Sequence, residues 1–314
     1  MGRITFINNN SILFERRDET MLIEPYGLNC IRVRSSKNAK LSDEKWTLLD
    51  PLDNSKPVLE GDDKHATLTN GDISVRVSTT NDWGGELCFM RKGKQILTTK
   101  NYGDYVMRYV HTEGDNYRIR YVFNANDGEH IYGLGQEQED AFDRKGTSTE
   151  LVHYNTKSVI PFYYSSLGYG FLWNNPAPGR CETTFNHTMW VADSAYQADF
   201  IVFVGDTPKD VMKTYADLTG YSPMMPKWAA GFWQCKCRYE SQDILLNVAR
   251  EYKRRGIPID AIVIDFFHWT EQGDLKFDPK YWPDPKAMCD ELKEMGIEPV
   301  VSGWPTISPK SENW

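Results

Sequence analysis

No run of about 18 apolar residues occurs in the 314-residue chain, so the sequence predicts no membrane-spanning helix. Met1 to Asn10 is polar and lacks an apolar h-region, and no signal peptide is expected. Positive charge is in deficit: 36 Lys and Arg stand against 44 Asp and Glu, a net charge of −8. That balance argues against a nucleic-acid surface and against an anionic membrane as partners. Cysteine is sparse and scattered, at Cys30, Cys88, Cys181, Cys235, Cys237 and Cys289. Only Cys235-Lys236-Cys237 is close-set, and that spacing is tighter than a Cys-x-x-Cys metal knuckle. Free thiols in a reducing cytoplasm are the expectation, with no metal site. No nucleophilic Ser elbow and no His-Glu-x-x-His motif occurs. Tyr132-Gly133-Leu134-Gly135-Gln136 has a Gly-x-Gly pair but no third glycine in place and no βαβ unit around it. It reads as a tight turn between strands, and the acidic run Glu137 to Asp140 behind it as a solvated loop.

What is present points to two domains. The length allows two separate cores, and 40% hydrophobic with 25% charged residues is a globular composition. Aromatics are plentiful, at 10 Trp, 17 Tyr and 14 Phe. A β-rich core would account for them, and so would surfaces on which sugar rings stack.

The first 200 residues read as strands and turns. Thr67 to Val77 is a pair of alternating runs around Asn70-Gly71-Asp72, a strong hairpin signal. Further alternating runs are Tyr117 to Phe123, Val159 to Tyr164, Gly170 to Trp173 and Ala198 to Val204. Short strands at such spacing predict a β-sandwich. Thr207-Pro208 then opens a helix with Val211, Met212, Tyr215 and Leu218 as its apolar stripe and Gly220 at its end. Pro223 and Pro226 mark a rigid linker, so residues 1–222 form one predicted domain and 223–314 a second.

The second domain alternates. Trp228 to Trp233 reads as a strand. Ser241 caps a helix with Ile244, Leu245, Val248 and Tyr252 on its apolar face. Ala261 to Phe267 is a near-continuous apolar strand, Asp284-Pro285 opens a helix with Met288, Leu292 and Met295 inward, and Pro299 to Trp304 is a third strand. Strand, helix, strand, helix, strand implies parallel pairing with right-handed crossovers, in an open sheet or a closed barrel.

Ligands of such folds gather at the C-terminal strand ends. Three ends are available: Gln234 to Tyr239, Asp265-Phe266-Phe267-His268-Trp269, and Gly303-Trp304-Pro305. A carboxylate closing an apolar strand needs a partner. For Asp265 that is a ligand hydroxyl, Lys236 or Arg238, or backbone donors, and a structural ion pair is the competing account. Trp269 and Trp304 fit either core caps or a sugar-binding floor. His268 reads as a structural neighbour.

These residues together resemble glycoside hydrolase family 31, the retaining α-glucosidase and α-xylosidase family. The resemblance is carried by Tyr-Gly-Leu-Gly-Gln at 132–136, Ile160-Pro161-Phe162 through Asn174-Asn175, Pro226-Lys227-Trp228, Gly231 to Gln234, Ile257 to Asp265, and Trp282-Pro283-Asp284-Pro285. It implies a galactose-mutarotase-like β-sandwich followed by the first three strands and two helices of a (β/α)8 TIM barrel. It implies an oligosaccharide or glycoside substrate and neither metal nor organic cofactor. By resemblance Asp265 holds sugar hydroxyls in the −1 subsite, lined by Phe266, Phe267 and Trp304; Trp269 and Arg238 join them as substrate-binding candidates from their place at the strand ends. Gln136 and Asp140 would reach toward it from the sandwich. Asp-Phe-Phe-His-Trp is more similar to the aromatic-rich motif of α-xylosidases than to that of α-glucosidases, which stay the alternative. The family's nucleophile and acid/base are expected beyond Trp314. Only 88 residues follow Pro226 (314 − 226), where a whole barrel takes about 250. A chain ending at Trp314 is therefore expected to be inactive alone. A non-catalytic carbohydrate-binding protein is the competing reading.

Overall fold

The computed structural model describes residues 2–16, 19–79, 86–100 and 108–314. The chain divides into two compact units, Met1–Ser222 and Pro223–Trp314. Among the described residues no helix is long and apolar enough to cross a membrane.

The first unit is a sandwich of antiparallel strands. Its N-terminal half holds β1 (Arg3–Ile7), β2 (Ser11–Arg16), β3 (Glu19–Pro25), β4 (Cys30–Ser36), β5 (Pro57–Gly61), β6 (His65–Asn70), β7 (Ile73–Ser78), β8 (Glu86–Arg91) and β9 (Lys94–Thr98). Then come β10 (Tyr109–His111), β11 (Tyr117–Asn124), β12 (Ile131–Gln136), β13 (Thr147–Glu150), β14 (Ser158–Ser165), β15 (Tyr169–Trp173), β16 (Gly179–Thr183), β17 (His187–Ala195) and β18 (Ala198–Val204). Among the described residues one layer is the eight-stranded sheet β1-β2-β3-β4-β18-β15-β14-β12. The other comprises β5-β6-β7-β8-β9 and β10-β11-β17-β16-β13, joined by a bridge between Thr99 and Phe123. Their apolar faces share one core, in which Phe171 stacks on Trp190 at 5.1 Å and on Phe200 at 5.0 Å. Trp173 and Trp190 are fully buried, so much of the aromatic surplus packs the sandwich.

Two local expectations change here. The β6–β7 turn is Gly71-Asp72 alone. Asn70 still pairs with Ile73, and its buried amide donates to the carbonyls of Gly27 and Cys30 at 2.7 and 2.9 Å. Tyr132 to Gln136 is no turn between strands but the body of β12. Leu134 is buried at φ +67°, where the register against β14 shifts. A Cβ on Gly135 would stand 2.1 Å from the Ser158 carbonyl oxygen, so the two glycines let a bulged strand lie close against its neighbour.

Helix α1 (Pro208–Thr219) follows, with Thr207 and Asp210 forming a reciprocal capping box. Val211 and Leu218 are buried and Tyr215 stacks on Phe162 at 4.4 Å. Met212, expected in the stripe, is 47% exposed, because the sheet beneath covers only the Val211–Leu218 side.

In the second unit, Lys227–Ala230 is a 3-10 turn, not the strand expected at Trp228 to Trp233. Pro226 starts the turn, its carbonyl accepting from Ala229. Only Trp233–Gln234 remains as β19. It pairs in parallel with β20 (Ala261–Ile264), which pairs in parallel with β21 (Glu298–Val301). Both later strands are shorter than expected. Pairing stops at Ile264 and Val301, so Asp265 to Phe267 and Ser302 to Trp304 are loop. Helix α2 (Gln242–Arg254) is capped by Ser241 and buries Leu245, Leu246 and Ala249. Ile244, expected inward, is 40% exposed. The helix carries two adjacent apolar stripes, and the sheet covers one. Helix α3 (Pro285–Glu294), capped by Asp284, buries Met288 and Leu292, while Met295 is its C-cap and half-buried.

Candidate functional site

The candidate site lies where β19, β20 and β21 end. At the opposite, N-terminal ends of these strands the Asp260 carboxylate accepts from the Phe232 amide at 2.9 Å. A Cβ on Gly231 would come within 2.1 Å of that carboxylate, so the turn ahead of β19 closes only over a glycine. Sequence reasoning gave Asp260 no role; the small residue at 231 was the available signal.

Past Ile264 the chain turns sharply. Asp265 Oδ1 accepts from the Phe266 amide at 2.8 Å. Among the described residues Asp265 has no ion pair, so of the partners weighed for it the structure supplies a backbone donor and neither Lys236 nor Arg238. Its second oxygen has no protein partner there. Phe267 sits at φ +64°, a conformation disfavoured for an aromatic residue, and is 52% exposed.

The structure brings Phe266, Phe267, Trp269 and Trp304 together. Phe266 meets Phe267 edge-on at 4.5 Å and stacks on Trp304 at 5.4 Å. Trp269 lies 6.3 Å from Phe267 and 6.4 Å from Trp304. The Arg238 guanidinium is 5.4 Å from the Phe267 ring centre, a cation–π contact that steadies the exposed ring. Trp304 keeps 42% of its surface open, whereas Trp269 is buried at 8% and acts as the wall behind.

His268 is buried, and its Nδ1 donates to the Asp265 carbonyl at 3.2 Å. Burial lowers its pKa below the ordinary value, outweighing that hydrogen bond. The ring is thus neutral near pH 7 and braces the Asp265 turn. Partial desolvation, with the Asp265 charge adding to it, raises the Cys235 thiol. The thiol stays protonated and is a poor nucleophile. Among the described residues no group of three His, Cys, Asp or Glu could hold a metal ion.

Gln136 and Asp140 belong to the first unit. Gln136 is exposed at the end of β12 opposite Ser158, and Asp140 is exposed in the loop beyond. That loop is less solvated than expected. Glu137 pairs with Lys157 at 3.1 Å, both side chains nearly buried. Asp143 Oδ1 accepts from the amides of Ile131 and Lys145, both at 3.0 Å. Partial burial pushes the Asp143 pKa up, but the hydrogen bonds from His130, Lys145 and Ile131 outweigh it and lower the pKa. These anchors were not legible, because each joins residues distant in sequence or hidden in a charge run.

Fold and site define a class: a β-sandwich ahead of a parallel α/β unit whose strand ends present one carboxylate among aromatic rings. Residues 20–182 match the glycosyl hydrolase 31 N-terminal galactose mutarotase-like domain, and residues 222–314 match the glycosyl hydrolases family 31 TIM-barrel domain. The chain belongs to glycosyl hydrolase family 31. It is 37% identical to an uncharacterized family 31 glucosidase, ORF2, of Pseudescherichia vulneris, over 96% of this chain and 60% of that protein. It is 36% identical to an α-xylosidase of Saccharolobus solfataricus, over 78% of this chain and 34% of that protein. The crystal structure of a family 31 α-xylosidase from a soil metagenome, complexed with xylose, superposes with a TM-score of 0.88 at 40% identity. That match covers 98% of this chain and 48% of the other. The chain therefore spans between about a third and three fifths of the length of these relatives.

Proposed function

We propose that this chain supplies the sandwich and the first barrel units of a retaining exo-α-glycosidase. The enzyme releases a sugar from the non-reducing end, with xylose favoured over glucose. The observation that carries this is Asp265. Its unpartnered oxygen stands at a strand end among Phe266, Phe267, Trp269 and Trp304. Such a carboxylate accepts hydrogen bonds from sugar hydroxyls while a ring face stacks on the pyranose. The close-set phenylalanines offer no polar group to an exocyclic hydroxymethyl, which suits a pentose. Relatives named as α-xylosidases support the same preference.

In this reading β19, α2, β20, α3 and β21 open a (β/α)8 barrel. Hydrolysis proceeds by double displacement through a covalent glycosyl-enzyme, with two carboxyl groups about 5–5.5 Å apart. Neither carboxylate is assigned to residues 1–314. Both belong to barrel sequence that the longer relatives carry. The reaction uses no metal or organic cofactor, and the six free thiols suit a cytoplasmic setting. The test is hydrolysis of p-nitrophenyl α-xyloside and α-glucoside by residues 1–314 and by the complete gene product. The complete protein should cleave the xyloside faster, and residues 1–314 should cleave neither. Turnover by residues 1–314, or a preference for glucoside, would overturn the assignment it bears on.

A further inference from the structure

A second cleft opens on the sandwich, with a volume of about 530 Å³. Ligand-binding pockets run from about 300 to 1,000 Å³, so it is large enough for one or two sugar rings. Its described lining residues all lie between Ser42 and Asp199, within the first unit.

Its walls are built from fixed parts. Gln197 is held at both ends of its amide, accepting from the Ser42 amide at 2.8 Å and donating to the Ser42 carbonyl at 3.0 Å. Asn175 donates to the Gln197 carbonyl at 3.1 Å. Tyr196 donates to the Lys40 carbonyl at 2.9 Å. Arg32 holds Asp199 with two hydrogen bonds, at 3.0 and 2.7 Å, and donates to the Glu44 carbonyl at 3.1 Å.

One buried atom behind this frame and two side chains at its surface have no partner among the described residues. Asn174 is 2% exposed, and its Nδ2 donates to Asp199 at 2.7 Å, but its Oδ1 accepts nothing among the described residues. A buried acceptor without a donor is costly. The side chains of Glu44 and Asn116, on the same cleft, also make no hydrogen bond among the described residues. Beside them Trp46 is 59% exposed and held at φ +50°.

We propose that this cleft binds a neutral sugar unit, at a site separate from the strand-end cluster. Among the described residues no Lys, Arg or His lines it, and Glu44 and Asp199 do, so an anionic ligand is disfavoured. A hydroxyl both donates and accepts. Sugar hydroxyls satisfy Glu44 as acceptor and Asn116 as donor, while Trp46 offers a flat apolar face to the ring. A quaternary ammonium would stack on Trp46 but could not hydrogen-bond to Asn116. The proposal stands on the cleft alone and does not require the strand-end reading.

Hydrogen–deuterium exchange of the complete protein tests it, with D-xylose and maltose as probes. Peptides covering 38–50 and 172–200 report on the cleft, and those covering 262–306 on the strand ends. Sugar should protect the cleft peptides. Trp46→Ala or Asn116→Ala, both substitutions outside the core, should weaken that protection by roughly tenfold in sugar concentration and leave the strand-end response unchanged. Cleft peptides indifferent to both sugars would overturn the proposal. So would protection unchanged by either substitution, or tetramethylammonium protecting the same peptides at lower concentration than either sugar. A failure of the strand-end reading would show only in the third peptide.

Discussion

Replacing Asp265 by Ala in the active enzyme removes the carboxylate proposed to grip the sugar. Its cost to the fold is small. The residue is half-buried, has no ion pair among the described residues, and contributes one hydrogen bond to the Phe266 amide. Losing that bond costs about 0.5–1.5 kcal/mol, a fall in Tm of a few degrees for a protein of this size. Its cost to catalysis is larger. Hydrogen bonds to a charged group are worth about 1.5–3 kcal/mol each. If two hydroxyls are held, kcat/KM falls by about 3–6 kcal/mol of transition-state binding, roughly 10²- to 10⁴-fold. Asp265→Asn keeps the shape and an acceptor for Phe266 but loses the charge, and should fall between that variant and wild type. The assay is kcat/KM on p-nitrophenyl α-xyloside, with circular dichroism melting run in parallel. A variant that melts normally and retains kcat/KM within about threefold (about 0.7 kcal/mol) would refute the role.

Three further outcomes follow from the same geometry. Trp304→Ala removes an exposed ring stacked on Phe266 and should weaken inhibition by xylose about 3- to 10-fold; an unchanged inhibition constant speaks against stacking. Gly231→Ala sets a Cβ 2.1 Å from the Asp260 carboxylate and should destabilise the second unit by about 1–3 kcal/mol, seen as a lower urea midpoint. His268 has a depressed pKa from burial, so the unfolded chain takes up its proton first on acidification. Stability from this group is full above about pH 6.5 and is lost as pH falls through the lower folded value. Urea midpoints from pH 7.5 down to 4.5 should show that loss, and His268→Phe should flatten it.

The elements that the sequence placed well are those whose signals are local. The Thr207, Ser241 and Asp284 caps are read correctly, because a cap satisfies amides two or three residues away. The parallel order of β19, β20 and β21 follows from the alternation of strand and helix. Misreadings arise where packing chooses among equivalent local options. Ile244 and Leu246 are both apolar on α2, and only the sheet beneath decides which is covered. Trp228 to Trp233 is apolar enough for a strand, yet Pro226 turns most of it into a 3-10 segment.

The sequence by itself determined the family, the two-part order of sandwich and α/β unit, and the placing of Asp265, Phe266, Phe267, Trp269 and Trp304 at strand ends. The family rests on resemblance to known motifs, and the order and placing follow from periodicity, which neighbours along the chain encode. Only the tertiary structure decided that Asp265 bonds to the Phe266 amide while neither Lys236 nor Arg238 pairs with it, and that Arg238 lies over Phe267. Likewise it alone set Trp46 beside Asn174, 128 positions along the chain (174 − 46). Partners that far apart meet only once the sheets have packed, and no local pattern in the sequence specifies which will meet.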